Sequence, residues 1–147
     1  MNENLFETVL VPIASPDDAD STARSVHRYV PQHAEIIVVH VIEKGEGVPD
    51  KASVDQRRRY AEHVYERFLR TFPDGSATIR MQTLYGRNVA ATIVDAAIEA
   101  NATIIAFTPR GGTRLMKLLT GDRAGKLVTN DKIPVIALPN QPERVEG

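Results

Sequence analysis

Hydrophobic residues along this chain gather into short continuous runs. Between the runs, apolar positions recur every three or four residues. Four of the runs are almost unbroken in Val, Ile and Leu: Thr8 to Ile13 (TVLVPI), Glu35 to Ile42 (EIIVVHVI), Thr103 to Thr108 (TIIAFT) and Pro134 to Leu138 (PVIAL). Runs of this length without alternation predict strands covered on both faces, the mark of a parallel sheet. A fifth run, Ala77 to Leu84 (ATIRMQTL), alternates. It predicts a strand with one polar face, placed at a sheet edge.

The intervening segments carry helical spacings. Ala19, Thr22, Ala23, Val26 and Val30 fall on one stripe, and Ala61, Val64, Tyr65, Phe68, Leu69 and Phe72 form a stronger one. Ser53 followed by Gln56 has the spacing of a capping box for the second helix. Ala90, Ile93, Val94 and Ala97 mark a third helix with Asn88 as its N-cap. Ala124, Leu127 and Val128 mark a fourth, with Asn130 suited to its C-terminal left-handed position. The order β-α-β-α-β-α-β-α-β predicts right-handed crossovers and an open, doubly wound, three-layer α/β domain of Rossmann-like form. A single domain fills residues 1–147, with the ordered core over 5–139, a Gly- and charge-rich stretch at Lys44 to Asp50, and a frayed tail at 140–147.

Composition narrows the chemistry. The 147 residues are 42% apolar and 25% charged, within the range of globular domains, and the net charge of -1 provides no global field toward nucleic acid or a membrane surface. There is no cysteine, which removes disulfides, thiol catalysis and thiolate metal sites. Met1 to Phe6 carry no basic residue ahead of an apolar stretch, so no secretory signal is expected. The apolar runs fall far short of the roughly 20 residues of a spanning helix. A cytoplasmic protein with no membrane or nucleic-acid partner is the expectation.

In an open doubly wound sheet, ligands bind outside the carboxyl ends of the strands, where strand order reverses. Two loops follow strands at that end: Ala14 to Asp17 (ASPD) and Pro109 to Asp122 (PRGGTRLMKLLTGD). The second has Gly111, Gly112 and Gly121, which let main-chain N–H groups approach an anion, and a helix starts near Asp122. Arg110, Arg114, Lys117, Arg123 and Lys126 surround it. The arrangement suits a phosphate or another anion, and equally suits a solvated glycine-rich turn.

Five pieces in order along nearly the whole chain resemble the universal stress protein family. They are VLVPIASPDDADSTA, the strand ending at His40 and Val41, GRNVAATIVDAA, NATIIAFTPRGG, and GDRAGKLVTNDKIPVIALP. The resemblance implies a five-stranded parallel sheet in the order 3-2-1-4-5 and a homodimer joined through the last strand, Pro134 to Leu138. It also implies that a nucleotide, where one binds, meets Pro12, Ile13, Ala14, Val41, Thr108, Arg110, Gly111, Gly121, Asp122 and Arg123.

Family members that bind ATP carry Gly, two residues, Gly, nine residues, then Gly with Ser or Thr. This chain keeps the spacing but places Thr108, Gly111, Gly121 and Asp122 on it, and Ala14 stands where binders carry an acid after the first strand. Thr108 adds a β-branched side chain where main chain should approach phosphate. Ala14 cannot accept a hydrogen bond from a ribose or base. Asp122, a good N-cap, takes the first-turn N–H groups for itself and opposes a phosphate by about 4 kcal/mol at ~4 Å and an effective dielectric of ~20. The resemblance therefore leaves two readings open. One is a non-catalytic, dimeric stress-response or regulatory protein with an altered nucleotide site and no certain cofactor. The other is a switch that holds ATP or another adenine nucleotide, with Mg, in the 108–122 loop. A slow nucleotide hydrolase ranks third, because no residue is placed to activate water.

The remaining chemistry is quieter. His27, His33, His40 and His63 form no metal-ligand spacing, and His40 on a buried strand reads as a hydrogen-bonded core histidine. Ser15, Ser21 and Ser25 form no nucleophile elbow, and Ser15-Pro16 reads as a helix start. Asp17, Asp18 and Asp20 read as first-turn complements to the helix dipole rather than a cation site. Arg57, Arg58 and Arg59 point around a helix beside Glu62 and Glu66, a solvated face.

Overall fold

The computed structural model describes residues 5–43, 54–72, 78–108 and 127–139. Along the chain run β1 (Thr8–Pro12), α1 (Pro16–Tyr29), β2 (Glu35–Glu43), α2 (Val54–Leu69), β3 (Thr78–Gly86), α3 (Val89–Glu99), β4 (Ile104–Phe107) and β5 (Val135–Ala137). The strands form one sheet in the order β3-β2-β1-β4-β5, and every pairing is parallel. The expected class and strand order are those observed. β3 lies at an edge, as its alternation predicts, and its residues alternate between exposed and half-buried along most of its length.

The unbroken apolar runs are explained by two cores. Successive side chains of a strand point to opposite faces. Val9, Val11 and Ile13 of the first strand segment, Ile36 and Val38 of β2, and Ile104 and Ala106 of β4 pack with Ala19, Ala23 and Val26 of α1 and Val64 and Phe68 of α2. Leu10, Ile37, Val39, Ile105 and Phe107 point the other way, onto Ala90, Ile93, Val94 and Ala97 of α3 together with Leu127 and Ile133.

Helix ends follow the local sequence. Ser15 caps α1, its hydroxyl accepting from Asp18 N–H at 3.2 Å, with Pro16 opening the first turn. Asn88 caps α3 by accepting from Ala91 N–H at 3.0 Å. A Cβ at Gly86 would collide with the Thr92 side chain, so a glycine there lets the end of β3 pass close to the first turn of α3. α1 and α2 are joined by Arg67, whose Nε donates to Asp20 at 3.0 Å and whose guanidinium lies 3.6 Å from Asp17. Asp17 thus joins helices as well as complementing the dipole in the first turn of α1, whereas Asp20 lies beyond that turn and serves the ion pair with Arg67.

Some expectations are corrected. Leu69 is 43% exposed and Val128 is 57% exposed, so neither belongs to the core face of its helix. Asn130 does not take the left-handed position. Its side-chain oxygen accepts from the N–H groups of Lys132 and Ile133, both at 2.9 Å, and its amide donates to Leu127 carbonyl at 2.7 Å. The left-handed asparagine is Asn101, with φ of 56°. It follows α3, where Ala102 N–H donates to Ala97 carbonyl at 2.8 Å and Asn101 N–H to Ile98 carbonyl at 3.1 Å, the paired bonds of a Schellman motif. Ser53 of the capping box, Ala124, Lys44 to Asp50 and the tail 140–147 lie outside the described residues. No helix among the described residues is long and apolar enough to cross a membrane.

Because Asn tolerates the left-handed region and a β-branched residue does not, Asn101→Val is expected to lower stability by about 1–2 kcal/mol. Urea denaturation measures this, and an unchanged midpoint would show that the α3–β4 connection relaxes without the motif.

Candidate functional site

The chain runs from β1 to β2 to β3 on one side of β1, then crosses to β4 on the other. Strand order therefore reverses at the carboxyl ends of β1 and β4, and that end of the sheet is the candidate site. The β1–β4 register extends over Val9↔Ile104 and Leu10↔Ile105, whereas β1 pairs with β2 as far as Pro12↔Val39. Ile13 N–H donates to Val39 carbonyl at 2.9 Å. Alternation along the strand points the nitrogen of Pro12 the other way, toward β4. A proline at this place costs no bond to β2 and leaves none to offer β4, so the two strands part here.

The described candidate residues sit at this opening but on two faces. Ala14 and Val41 are half-buried and pack against the cluster on the α3 side. Pro12 is buried, and Ile13 is buried on the opposite face, against α1 and α2. Thr108, wholly buried, faces α1. Its hydroxyl shares a hydrogen bond of 2.6 Å with the Thr22 hydroxyl, also wholly buried. Arg110, Gly111, Gly121, Asp122 and Arg123 lie outside the described residues.

His40 occupies the same end of β2, on the face covered by α1 and α2. Its Nδ1 lies 3.0 Å from the carbonyl of Ile13. A carbonyl only accepts, so Nδ1 carries the proton. Burial lowers the pKa of the ring from its ordinary 6.5, opposed by the bond to Ile13. The His40 ring lies 5.6 Å from the Tyr60 ring of α2, tilted by 50°. On the same face, the Tyr65 hydroxyl donates to Gln82 carbonyl at 2.5 Å and lies 3.0 Å from the Thr83 hydroxyl. Burial raises the Tyr65 phenol above its ordinary value, while hydrogen bonds with Thr83 and the His40 main chain oppose the shift.

The sequence reading missed a polar stripe on α1. Asp18, Ser21, Thr22 and Ser25 are all buried, at 1% exposure or less. Asp18 is thus an interior acid as well as a first-turn complement to the dipole. Ser25 hydroxyl donates to Pro139 carbonyl at 2.8 Å, tying the exit of β5 to α1. The spacing of these residues, at i, i+3, i+4 and i+7, is the available signal, running alongside the alanine stripe. Thr22, Ser25 and His40 each spend polar capacity on fixed structural partners, and no group of three metal-ligating side chains occurs among the described residues.

Replacing Thr22 or Thr108 singly by Val leaves one buried hydroxyl unanswered and is expected to cost about 1–3 kcal/mol. The double variant should cost less than the sum, since neither hydroxyl then remains. A urea double-mutant cycle reads this, and strict additivity would mean that the pair carries no coupling.

The universal stress protein family model matches residues 5–139. No curated protein matches the chain by sequence. Among solved structures, the universal stress protein from Archaeoglobus fulgidus in complex with dAMP is 17% identical, with a TM-score of 0.61 over 92% of this chain and 99% of that one. A universal stress protein in complex with cAMP is 17% identical, with a TM-score of 0.59 over 92% and 98%. A family protein from Burkholderia pseudomallei is 19% identical, with a TM-score of 0.60 over 94% and 99%. With the family match extending from the first described residue to the last, and the fold shared with these structures, the chain belongs to the universal stress protein family.

Proposed function

We propose that this chain is a non-catalytic regulatory protein. It works as a homodimer and takes an adenine nucleoside or its monophosphate at the strand-end site in preference to ATP. The observation that carries this reading is Thr108. It stands at the first glycine position of the family's ATP pattern, is wholly buried, and has its hydroxyl engaged by Thr22. The family pattern implies that a glycine here lets main chain approach a polyphosphate, and this chain has side-chain volume and a fixed hydrogen bond instead. Asp122 lies outside the described residues, but the family pattern sets it at the Ser/Thr position beside the phosphates, where a carboxylate is a like charge and each further phosphate raises the cost. On the other side, Ala14 lacks the acid that binders carry, but Ala14 and Val41 are half-buried apolar residues on the α3 side, against which a base could pack without a like charge opposing it. The relatives solved with cAMP and dAMP support a ligand of that class. A cytoplasmic location, compatible with a chain free of cysteine, belongs to the same reading.

An ATP-dependent switch with Mg is the competing reading, favoured by the retained spacing of Gly111 and Gly121. Thermal unfolding with millimolar AMP, cAMP, ADP and Mg-ATP separates the two. Ligand at 100 times its dissociation constant stabilises by about 2.7 kcal/mol. AMP or cAMP is expected to raise the midpoint more than Mg-ATP, without phosphate release. The largest rise from Mg-ATP would establish the switch instead, and no rise from any of them would leave partner contacts alone.

The homodimer reading rests on β5, an edge strand in the sheet order with Ala137 exposed. Leu138 N–H donates to Phe107 carbonyl of β4, so by alternation Ala137 N–H points outward. Ala137→Pro removes that outward donor and spares the β4 ladder. Analytical ultracentrifugation is expected to show a dimer for the parent chain and a monomer for the variant. A dimer that survives the substitution would place the interface elsewhere.

A further inference from the structure

Edge strands of natural sheets are kept short, bulged, broken by proline or guarded by charge, because their free main chain otherwise pairs with another chain. β3 lacks these guards. It is nine residues long, against three in β5 at the opposite edge. It pairs with β2 residue for residue from Thr78 to Gly86, without a bulge, and it contains no proline. Its one charged side chain, Arg80, is drawn toward β2 by Glu35, with Nε 3.2 Å from Oε2.

The ladder decides which main-chain groups face outward. Glu35 N–H donates to Glu7 carbonyl and Ile13 N–H to Val39 carbonyl, so the odd residues of β2 face β1 and the even ones face β3. His40 therefore bonds the residues that flank its register partner Thr83, namely Gln82 and Leu84. By alternation, Ile79, Met81, Thr83 and Tyr85 turn their N–H and carbonyl groups away from the sheet. Their side chains lie on the face covered by α2. Ile79 and Met81 pack against the cluster there, whereas Tyr85 is 54% exposed.

We propose that β3 is a second contact between copies of this chain, in which two β3 strands pair antiparallel about a two-fold axis at Gln82. In that register Met81 faces Thr83 and Ile79 faces Tyr85. Every outward residue of one copy then meets an outward residue of the other, and each free donor finds an acceptor. A slip of one residue sets outward groups against inward ones. Registers centred on Met81 or Thr83 carry an outward residue of each copy past the end of the strand. The exposed Tyr85 ring comes to lie against Ile79 of the other copy. Arg80 faces Leu84, and the two Arg80 side chains stand about 13 Å apart along the strand at ~3.3 Å per residue, beyond the ~8 Å screening length of physiological salt. This contact depends neither on the ligand site nor on β5, which lies at the other edge. Thr78, Arg80 and Gln82 are exposed on the far face, so only one face supplies apolar contact. The association is therefore weak, and it forms at higher concentration than the β5 dimer.

The test is sedimentation velocity of the full chain from about 10 μM to about 1 mM, the range in which weak contacts fill. The parent is expected to grow beyond its low-concentration state. Gln82 is exposed and meets its own copy at the axis. Gln82→Glu and Gln82→Lys each set like charges opposite one another there, and each should weaken the growth roughly fivefold, the size of one opposed pair. An equimolar mixture of the two variants should restore it. The chain has no cysteine, so Gln82→Cys supplies a lone thiol per copy, with Cα atoms roughly 4.5 Å apart across the axis and within disulfide reach. Mild oxidation should then give a covalent dimer. Thr78→Cys, on the same face but opposite Gly86, should not. In Ala137→Pro the growth should persist, as monomer to dimer, and its loss there would assign the contact to β5 and overturn the inference. A parent chain that associates no further at any concentration also overturns it, and leaves the edge to an extended segment of another protein. Growth that ignores the charge at position 82, or that the mixture fails to restore, overturns it as well.

Discussion

Burial of β1 on both faces is the constraint on which the rest of the molecule depends. Val9, Leu10 and Val11 have no exposed surface, and each fully buried aliphatic side chain contributes about 1.5–3 kcal/mol. Parallel neighbours on both sides satisfy its main chain, and helices must then cover both faces, since parallel strands require crossovers. That single placement fixes the reversal of strand order. Two crossovers carry the chain away on one side and the third returns it to the other, so the carboxyl end of β1 is flanked by ladders that run in opposite sequence directions. The candidate site is a geometric consequence of where β1 sits, and Pro12 sharpens it by giving no donor toward β4.

Around this opening, small polar side chains do what large apolar ones do deeper in the core. Thr22 holds Thr108, Ser25 holds Pro139, and His40 holds Ile13. Each joins an element end to a neighbour at a level where the sheet ladder is running out. A buried hydroxyl without a partner is costly, and a paired one contributes modestly. These contacts therefore specify position more than they add stability. The carboxyl end of the sheet is held by directional bonds, while its centre is held by area.

The strands were legible because burial on both faces admits no polar alternation, and β3 was legible for the converse reason. Ser15 and Asn88 were legible because a capping side chain acts on its own first turn, within three residues. The polar stripe of α1 was not. Asp18, Ser21 and Ser25 look like solvent positions by residue type, and only the proximity of β4 and β5 turns that face inward. Asn101 and Asn130 follow helices alike, and what separates them is three-dimensional. Asn101 closes the end of α3 with a left-handed residue, whereas Asn130 turns the chain into β5 through its side-chain oxygen. His40 was read correctly as a hydrogen-bonded interior histidine. Its partner, Ile13, was beyond reach, since 27 residues separate them. Of the site itself, Thr108 was legible as a departure from the family pattern, but not the Thr22 hydroxyl that engages it.

The two faces of the opening carry different chemistry. On the α1 side, Thr108 adds volume, and a wholly buried partner takes up its polarity, so the change is accommodated rather than strained. On the α3 side, Ala14 and Val41 are half-buried against the apolar cluster and provide no side-chain acceptor. Where the polar group that would reject a wrong partner is lacking, apolar and shape contacts remain but discrimination is weaker.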